Sequence, residues 1–418
     1  MTEQRRVIDA PWLTAGPAGR VLAVLNGDGE EARAVGGAVR NALMGLDVGE
    51  IDLATTAVPD EVIRRAKLAG YKSVPTGIDH GTVTLVVEGT PVEVTTLRED
   101  VETFGRKARV MFGRDWQRDA TRRDFTMNGL SASIDGVVHD HVGGLPDVDA
   151  RRVRFIGDPD RRIAEDYLRI LRFFRIHAAY GAGAPDCEGY LASIRGRDGI
   201  AGLSAERIRM ELLKLLVAPG AYAAVEAMGD AGLLQRICGG VTYLGPFRNM
   251  IAIEQEMGLV PEAMLRLGAL AVAVTEDAKR LTQRLRLTNE ENKALDSMGH
   301  RWWRLKGMDE ARARQRLYRL GSQRYRNRML LAWARDGEGG DAAEWKQLVA
   351  LPERWTPPVF PLKAADFIAR GIAKGPALGH VLALAEDAWM ANDFPMEVDV
   401  ITVIADQTIA RFKHDHRL

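Results

Sequence analysis

Two neighbouring segments contain the residue types of a metal and phosphate site. One is the glycine pair Gly36-Gly37, and the other is the acid-apolar-acid triplet of Glu50, Ile51 and Asp52. Alternate side chains of a strand face the same way, so Glu50 and Asp52 should project together while Ile51 turns into the core. Two adjacent carboxylates repel each other unless a cation lies between them, and Mg²⁺ prefers such oxygen ligands.

The glycine pair adds a phosphate-binding element to this carboxylate pair. Glycines allow backbone N–H groups to approach a phosphate closely, and together the two segments predict metal-dependent phosphoryl or nucleotidyl transfer. Each segment alone has an ordinary explanation, because a glycine pair is usually a turn and an acid-x-acid triplet is usually a solvated strand face. Their order and short spacing favour the chemical interpretation.

A second unusual stretch runs from Arg122 to Asn128. Arg122 and Arg123 can hold a polyphosphate through bidentate, charge-assisted bonds. Asp124 is suited to orient these arginines, and Asn128 offers both donors and an acceptor. The alternative is a basic surface turn that leads into an amphipathic segment.

A third stretch places Asp166, Arg169, Arg172 and Arg175 at intervals of three residues. On a helix this spacing produces one polar stripe. An acceptor beside a donor complements the amino group and ring nitrogen of cytosine or adenine, whereas guanine and uracil present the opposite order and should be rejected. The alternative is an amphipathic helix with a solvated basic face.

The elements that must position these residues change along the chain. Residues 1 to about 150 alternate between strand-like and helix-like segments, including a hairpin of Val83–Val87 with Val92–Thr96 and a helix over Pro59–Leu68. Strand signals nearly vanish after residue 160. Helical periodicity there predicts helices over Ile163–Tyr180, Ser204–Leu216 and Ala221–Leu234. The fold class is therefore predicted as α+β, with a catalytic head followed by a long helical part.

Composition narrows the class of protein. The 418 residues are 46% hydrophobic and 27% charged, which is typical of a globular protein with about two to four domains. The formal net charge is +0, so any nucleic-acid binding must come from local patches. The two cysteines, Cys187 and Cys238, lie far apart, which fits a reducing cytoplasm. No apolar segment predicts a signal peptide or a membrane span.

The ordered motifs over roughly residues 30–235 resemble those of the class II tRNA nucleotidyltransferases, the family of CCA-adding enzymes and bacterial poly(A) polymerases. The resemblance implies a nucleotidyltransferase head with a mixed sheet and helices over residues 1–150. It also implies a helical neck with the nucleotide-base template over 151–235, and a helical, tRNA-binding body and tail over 236–418.

The resemblance also implies roles for individual residues. Glu50 and Asp52 would be the catalytic carboxylates that hold Mg²⁺ in a two-metal site. The residues implied to bind the nucleotide are Gly37, Arg40, Arg123, Asp166, Arg169, Arg172 and Arg175, of which Asp166 and Arg169 read the base. The residues implied to support the site are Glu93, Asp124, Asn128, Asp100, Arg106, Glu206 and Arg207.

Three positions depart from the family pattern. The family usually has Asp where this chain has Glu50, which still ligates Mg²⁺ but reaches one methylene further. Asn41 follows Arg40 where Asp is often found. Phe104 stands where many members have Asp, in a loop that helps to switch from CTP to ATP.

Arginines and aromatic residues are concentrated between His300 and Arg335. We expect Arg324, Arg326 and Arg328 to contact RNA phosphates. The alternative is that the aromatic side chains belong to the core and the arginines form a solvated face.

The predicted function is template-independent addition or repair of the 3′-terminal CCA of tRNA, from CTP and ATP, with release of pyrophosphate. The expected partners are tRNA, CTP and ATP, with no membrane and no obligate protein partner, and the expected compartment is the cytoplasm. One alternative is a poly(A) polymerase or an enzyme that adds only C or only A. Another is a non-catalytic RNA-binding protein on the same scaffold.

Overall fold

The structure, a computed structural model, describes residues 6–104, 107–337 and 341–416. The chain divides into two compact units. The first consists of Met1–Gly239 with Arg284–Arg286, and the second of Gly240–Gln283 with Leu287–Leu418. The three-part division of the chain at residues 150 and 235 stays a prediction.

The first unit contains one mixed sheet and, in the described region, a separate two-stranded ribbon. The strands are β1 Ala32–Val35, β2 Asp52–Thr55, β3 Lys72–Gly77, β4 Thr82–Val87, β5 Thr90–Thr96, β6 Arg98–Phe104, β7 Lys107–Phe112, β8 Ser131–Ala132 and β9 Val138–His139. The sheet order is β3-β4-β5-β2-β1-β8-β9, and β6 pairs with β7. Strands β2 and β5 run parallel while the other pairs are antiparallel, so the sheet is mixed as predicted.

The first helices of this unit alternate with the strands along the chain, and the later helices follow the last strand, β9. They are α1 Gly16–Leu25, α2 Gly37–Leu43, α3 Pro59–Leu68, α4 Trp116–Thr121, α5 Gly144–Asp149, α6 Pro159–Glu165, α7 Leu168–Tyr180, α8 Cys187–Gly196, α9 Ala205–Leu216, α10 Ala221–Asp230 and α11 Leu233–Cys238. The predicted helix over Pro59–Leu68 and the predicted β4–β5 hairpin are confirmed. The β4 side chains alternate in burial, with Val83, Leu85 and Val87 in the core.

The predicted continuous helix over Ile163–Tyr180 is wrong, because the chain breaks between α6 and α7. Asp166 has an extended backbone, with φ of −156° and ψ of 106°. Its carboxylate accepts a hydrogen bond from the Leu168 N–H at 3.1 Å, which satisfies a free donor at the start of α7. Asp166 therefore lies between the two helices and binds the first N–H of α7 instead of belonging to one continuous helix.

Helices form the rest of the chain. They are α12 Leu244–Glu256, α13 Ala263–Ala271, α14 Thr275–Leu285, α15 Asn289–Gly299, α16 Glu310–Leu320, α17 Ser322–Asp336, α18 Ala342–Val349, α19 Leu351–Arg354, α20 Ala364–Ala369, α21 Pro376–Ala391 and α22 Val398–His416. Helix α17 packs against α12, α13, α15 and α18. Helices α20 to α22 bury an apolar cluster around Phe367, Val381 and Phe412. The predicted α+β class with a helical continuation is confirmed.

The two cysteines have different environments. Cys187 is exposed at the start of α8, whereas Cys238 is buried at the end of α11, and neither forms a disulfide in the described structure. Within the described ranges, no helix is both long and apolar enough to cross a bilayer.

Candidate active site

The glycine pair forms a tight turn between β1 and α2. Gly36 has a φ of +71°, a conformation that side chains other than glycine rarely adopt. A Cβ atom there would lie 3.3 Å from Nη1 of Arg123. Val35 pairs with Asp52 in the antiparallel ladder of β1 and β2, so the turn lies beside that carboxylate.

The strand that carries the acidic triplet begins later than predicted. Strand β2 starts at Asp52, while Glu50 and Ile51 precede it. Ile51 is half-buried and lines the same cavity of about 460 Å³ as Glu50 and Asp52. The expectation that Ile51 turns into the core is therefore wrong, because the ladder that enforces alternation has no partner before Asp52.

A third carboxylate, Glu93, joins this cavity from β5. The parallel register pairs Leu53 with Val94, so Asp52 and Glu93 each precede a paired residue and lie on the same face of adjacent strands. Burial raises the pKa of Glu93, and the charges of Asp52 and Glu50 raise it further. Burial also raises the pKa of Asp52, where the charge of Arg123 opposes the rise and that of Glu50 adds to it.

This carboxylate cavity fits a divalent cation that shares its ligands with a substrate. The mutual repulsion of Glu50, Asp52 and Glu93 is the electrostatic condition that a cation relieves. In the part of the chain that the structure describes, no three Asp, Glu, His or Cys side chains form a complete metal cage. Mg²⁺ is commonly held by one or two carboxylates, with water and substrate phosphates as the remaining ligands.

A second, strongly basic cavity of about 500 Å³ shares Asp52 with the first. It brings together residues that are distant in sequence. The predicted residues in its lining are Gly37, Arg40, Asp52, Arg123, Asp124, Asn128, Asp166, Arg169, Arg172, Arg175 and Arg207. Glu50 and Glu93 line only the carboxylate cavity.

Arg122 and Arg123 are oriented by a buried carboxylate that the sequence did not reveal. Nε of Arg122 donates to Asp119 at 2.8 Å, and Nη2 of Arg123 donates to it at 3.1 Å. Burial would raise the pKa of Asp119, but the two guanidinium groups hold it below its usual value. Asp119 thus remains charged and fixes Arg123 beside Gly36.

Asp124 is the centre of a polar network in the basic cavity. Nε of Arg172 donates to its carboxylate at 2.8 Å, and the Phe125 N–H donates at 2.9 Å. Burial would raise the pKa of Asp124, but the charge and hydrogen bonds of Arg172 outweigh it and the pKa is lowered. The amide of Asn128 donates to Asp124 at 3.3 Å and accepts a hydrogen bond from Arg40. Asp124 orients Arg172 rather than the neighbouring arginine pair.

Two further residues hold the arginines of the cavity. Glu211 accepts a hydrogen bond from Nε of Arg175 at 2.5 Å and lies 3.7 Å from Nη1 of Arg172. The guanidinium of Arg40 stacks on the ring of Tyr180, 3.5 Å from its centroid. Neither Glu211 nor Tyr180 was predicted as a site residue. Glu211 lies one helical turn after Arg207, which is the sequence signal that could have identified it.

The two predicted base-reading residues have separate partners. Asp166 accepts two hydrogen bonds from Arg207, at 2.6 and 3.2 Å. Arg169 donates to Glu165 at 2.6 Å. The expected Asp166–Arg169 pair on one helix is wrong in this respect, because Asp166 lies before α7, although both side chains line the basic cavity.

Three of the predicted supporting residues lie outside the linings of both cavities or outside the described part of the structure. Glu206 accepts a hydrogen bond from Arg286 at 2.9 Å and is absent from both linings. Arg106 and the side chain of Asp100 lie outside the described residues.

The predicted RNA-contacting arginines of α17 differ in exposure. Arg324 is exposed, and Arg326 forms an ion pair with Glu353 at 2.9 Å. Arg328 is buried and donates to the carbonyl oxygen of His300 at 2.5 Å. Helix α17 therefore turns this side chain inward and away from an open face, and its contact with RNA stays a prediction.

Two segments of the chain match known protein families. Residues 32–154 match the family described as "Poly A polymerase head domain". Residues 195–242 match that described as "Probable RNA and SrmB- binding site of polymerase A".

Solved structures share the fold. The CCA-adding enzyme of Bacillus stearothermophilus in complex with CTP superposes with a TM-score of 0.72 at 24% identity, over 94% of this chain and 98% of that one. The Thermotoga maritima CCA-adding enzyme complexed with tRNA_CCA gives a TM-score of 0.67 at 18% identity, over 97% and 98% of the two chains.

Curated relatives match at higher identity. The "CCA tRNA nucleotidyltransferase 1, mitochondrial" of Danio rerio is 34% identical over 387 residues, which cover 90% of this chain and 88% of the relative. The human protein of the same name is 32% identical, over 89% and 86% of the two chains. With similarity of this extent along nearly the whole sequence, the chain belongs to the family of CCA-adding enzymes, the CCA tRNA nucleotidyltransferases.

Proposed function

We propose that this protein adds or repairs the 3′-terminal CCA of tRNA, using CTP and ATP and releasing pyrophosphate. The observation that supports this most strongly is the junction at Asp52, which lines both the carboxylate cavity and the basic cavity. A nucleotidyl transfer needs such a junction, because the attacking hydroxyl and the nucleotide must meet at one phosphorus atom.

The charges of the two cavities suggest which reactant each one holds. The basic cavity is suited to the triphosphate, since arginines bind phosphates through directional, charge-assisted hydrogen bonds. The carboxylate cavity is suited to the RNA 3′-hydroxyl, because its acidic groups would repel a triphosphate. Pro17, Ala18 and Pro91 supply apolar surface there against which a terminal nucleoside can pack.

Glu50 and Asp52 are the residues that would hold Mg²⁺, with Glu93 close enough to assist electrostatically. Bound there, two metal ions would stabilise the charge on the triphosphate and increase the reactivity of the RNA hydroxyl. Arg123 and Arg172 orient the phosphates, while the glycine turn at Gly36 leaves room for close approach.

Base selection follows from the groups at the α6–α7 break. Asp166 provides an acceptor for the amino group of cytosine or adenine, and Arg169 provides a donor for the neighbouring ring nitrogen. The bonds from Arg207 keep the Asp166 carboxylate in place. Guanine and uracil would direct a carbonyl oxygen toward that carboxylate and leave polar groups unpaired.

The remaining assignments concern partners and compartment. tRNA, CTP and ATP are the partners of this reaction, and the named relatives are tRNA nucleotidyltransferases. Neither Cys187 nor Cys238 forms a disulfide in the described structure, which supports a reducing compartment such as the cytoplasm.

A single assay tests this function. The purified protein is incubated with Mg²⁺, with tRNA lacking one, two or three 3′ nucleotides, and with each labelled nucleotide in turn. Products that stop at a complete CCA end support the proposal. Long A tails would indicate a poly(A) polymerase, incorporation of only C or only A would indicate a partial enzyme, and binding without incorporation would indicate a non-catalytic RNA-binding protein.

A further inference from the structure

The second unit contains an arginine-lined cavity of about 410 Å³, which we call the arginine pocket. Its lining consists of His300, Arg312, Gln315, Arg316, Arg319, Leu320 and Arg328. Arg312, Arg316 and Arg319 lie on one face of α16, because residues three and four apart are neighbours on a helix. Arg328 approaches from α17, which follows after Gly321. Two helices thus direct four guanidinium groups toward one space.

The four arginines differ in what neutralises them. Arg312 and Arg319 are exposed and lie near Asp309 and Asp387, at 3.4 and 2.5 Å. Arg328 donates to the His300 carbonyl, which carries no net charge. The side chain of Arg316 is half-buried, and among the residues that the structure describes it makes no hydrogen bond or ion pair. The inner part of the pocket therefore contains positive charge without a carboxylate.

The electrostatics agree with this placement. Burial lowers the pKa of Arg316, and the charges of Arg304 and Arg319 lower it further. Burial lowers the pKa of Arg328, and the charge of Arg316 lowers it further. Guanidinium groups remain protonated despite such shifts, so their repulsion is a cost that an anion would relieve.

The lining also indicates the kind of anion. A phosphate group offers several oxygens to forked donors, whereas a nucleobase requires a flat apolar surface for stacking. Apart from the imidazole of His300, the lining has no aromatic side chain, while arginine and glutamine dominate it.

We infer that the arginine pocket is a phosphate-binding site with Arg316 as its main ligand. Resting on the proposed function, the phosphate is expected to be a backbone phosphate of the tRNA. A free polyphosphate such as pyrophosphate has the same chemistry and is the other source to be tested.

The test compares the full-length protein with Arg316→Gln, Arg316→Lys and Arg248→Gln. Arg248 is exposed on α12 and absent from the pocket lining, so it controls for the loss of one positive charge. One arm measures tRNA affinity over a range of salt concentrations. The other measures the rise in melting temperature caused by pyrophosphate, and circular dichroism verifies that each variant is folded.

For a backbone phosphate, Arg316→Gln should weaken tRNA binding several-fold and reduce the salt slope by about one, with Arg316→Lys close to wild type. A loss confined to the pyrophosphate arm would support the pocket but assign it to a free polyphosphate. If Arg316→Gln and Arg248→Gln behave alike in both arms, the pocket inference is overturned. Failure of the wild-type protein to bind tRNA would instead contradict the proposed function, and the pyrophosphate arm would still decide the pocket.

Discussion

The basic cavity and the arginine pocket are each lined by several arginines, but the neighbours of these arginines differ. In the basic cavity of the first unit, Arg123, Arg172 and Arg175 each donate to a carboxylate that fixes their direction. In the arginine pocket of the second unit, the inner Arg316 has no such partner among the described residues. Arginines held by carboxylates have a fixed direction, which suits the orientation of a phosphate that reacts. An arginine without such a partner keeps its positive charge uncompensated, which suits the binding of a phosphate that does not react.

The largest expected effect is the loss of turnover without a loss of tRNA affinity when Asp52 is replaced. Asp52→Ala should lower kcat/KM for CTP by roughly 10³-fold or more, because a metal ligand worth several kcal/mol in the transition state is lost. tRNA affinity should be nearly unchanged, as measured by anisotropy. Glu50→Asp is the control and should retain activity, since either carboxylate ligates Mg²⁺. Near-normal turnover by Asp52→Ala would contradict the assignment of the carboxylate cavity.

The next largest effect tests whether the orientation of individual side chains in the basic cavity determines which nucleotide is added. Asp166→Ala should slow C and A addition roughly ten- to hundredfold, since a charged hydrogen bond contributes about 1.5–3 kcal/mol. It should also lose discrimination against UTP and GTP, because the repulsion of their carbonyl oxygens disappears. Arg123→Gln should instead lower the rate with all four nucleotides together. Incorporation assays with each nucleotide test this, and an Asp166→Ala enzyme that keeps its full C and A preference would exclude this template.

A third effect concerns stability and pH. The pKa of Asp124 is lowered in the folded protein, so its stabilising contribution is present above the unfolded pKa and lost as pH falls through the folded value. Asp124→Asn should lower the free energy of unfolding by about 1–3 kcal/mol at pH 7. The difference from wild type should shrink below about pH 4, near the unfolded pKa of an aspartate.

Urea unfolding at several pH values measures this contribution of Asp124. Asp9→Asn, at an exposed aspartate of the first unit, is the matched control. A difference between Asp124→Asn and wild type that stays constant down to pH 3 would mean that Arg172 does not depend on this carboxylate.

The smallest effect concerns two arginines of α17 that lie outside the pocket, and Arg328 of the pocket serves as the contrast. Replacing Arg324 and Arg326 together by Gln should weaken tRNA binding slightly and reduce its salt slope by at most about one per lost contact. Arg328→Gln should act differently and lower the free energy of unfolding by about 1–3 kcal/mol, because the part-buried hydrogen bond from this guanidinium to the His300 carbonyl is lost. Salt titrations and urea unfolding distinguish the two outcomes.

Local sequence signals predicted much of the first unit. Alternating β-branched residues predicted the β4–β5 hairpin, and a proline followed by helix-forming residues predicted α3. The hairpin and the helix depend on neighbouring residues, so periodicity and turn chemistry are sufficient to find them. The residues that line the basic cavity were instead implied by the resemblance to the class II tRNA nucleotidyltransferases.

The remaining features depend on contacts between distant segments. Asp166 meets Arg207 from another helix, and Glu211 meets Arg175 in the same way. No glycine or proline marks the break between α6 and α7, so periodicity alone predicted one helix. The arginine pocket was likewise hidden, because an exposed arginine and a buried one look the same in sequence.

The unequal burial of the two thiols should allow one of them to be labelled selectively in the folded protein. A thiol-reactive dye should modify Cys187 rapidly and Cys238 only when the region around α11 opens. The native enzyme can therefore be labelled at one defined point without engineering. The rate at which the second thiol, Cys238, becomes reactive would then measure the rate of local unfolding in the first unit.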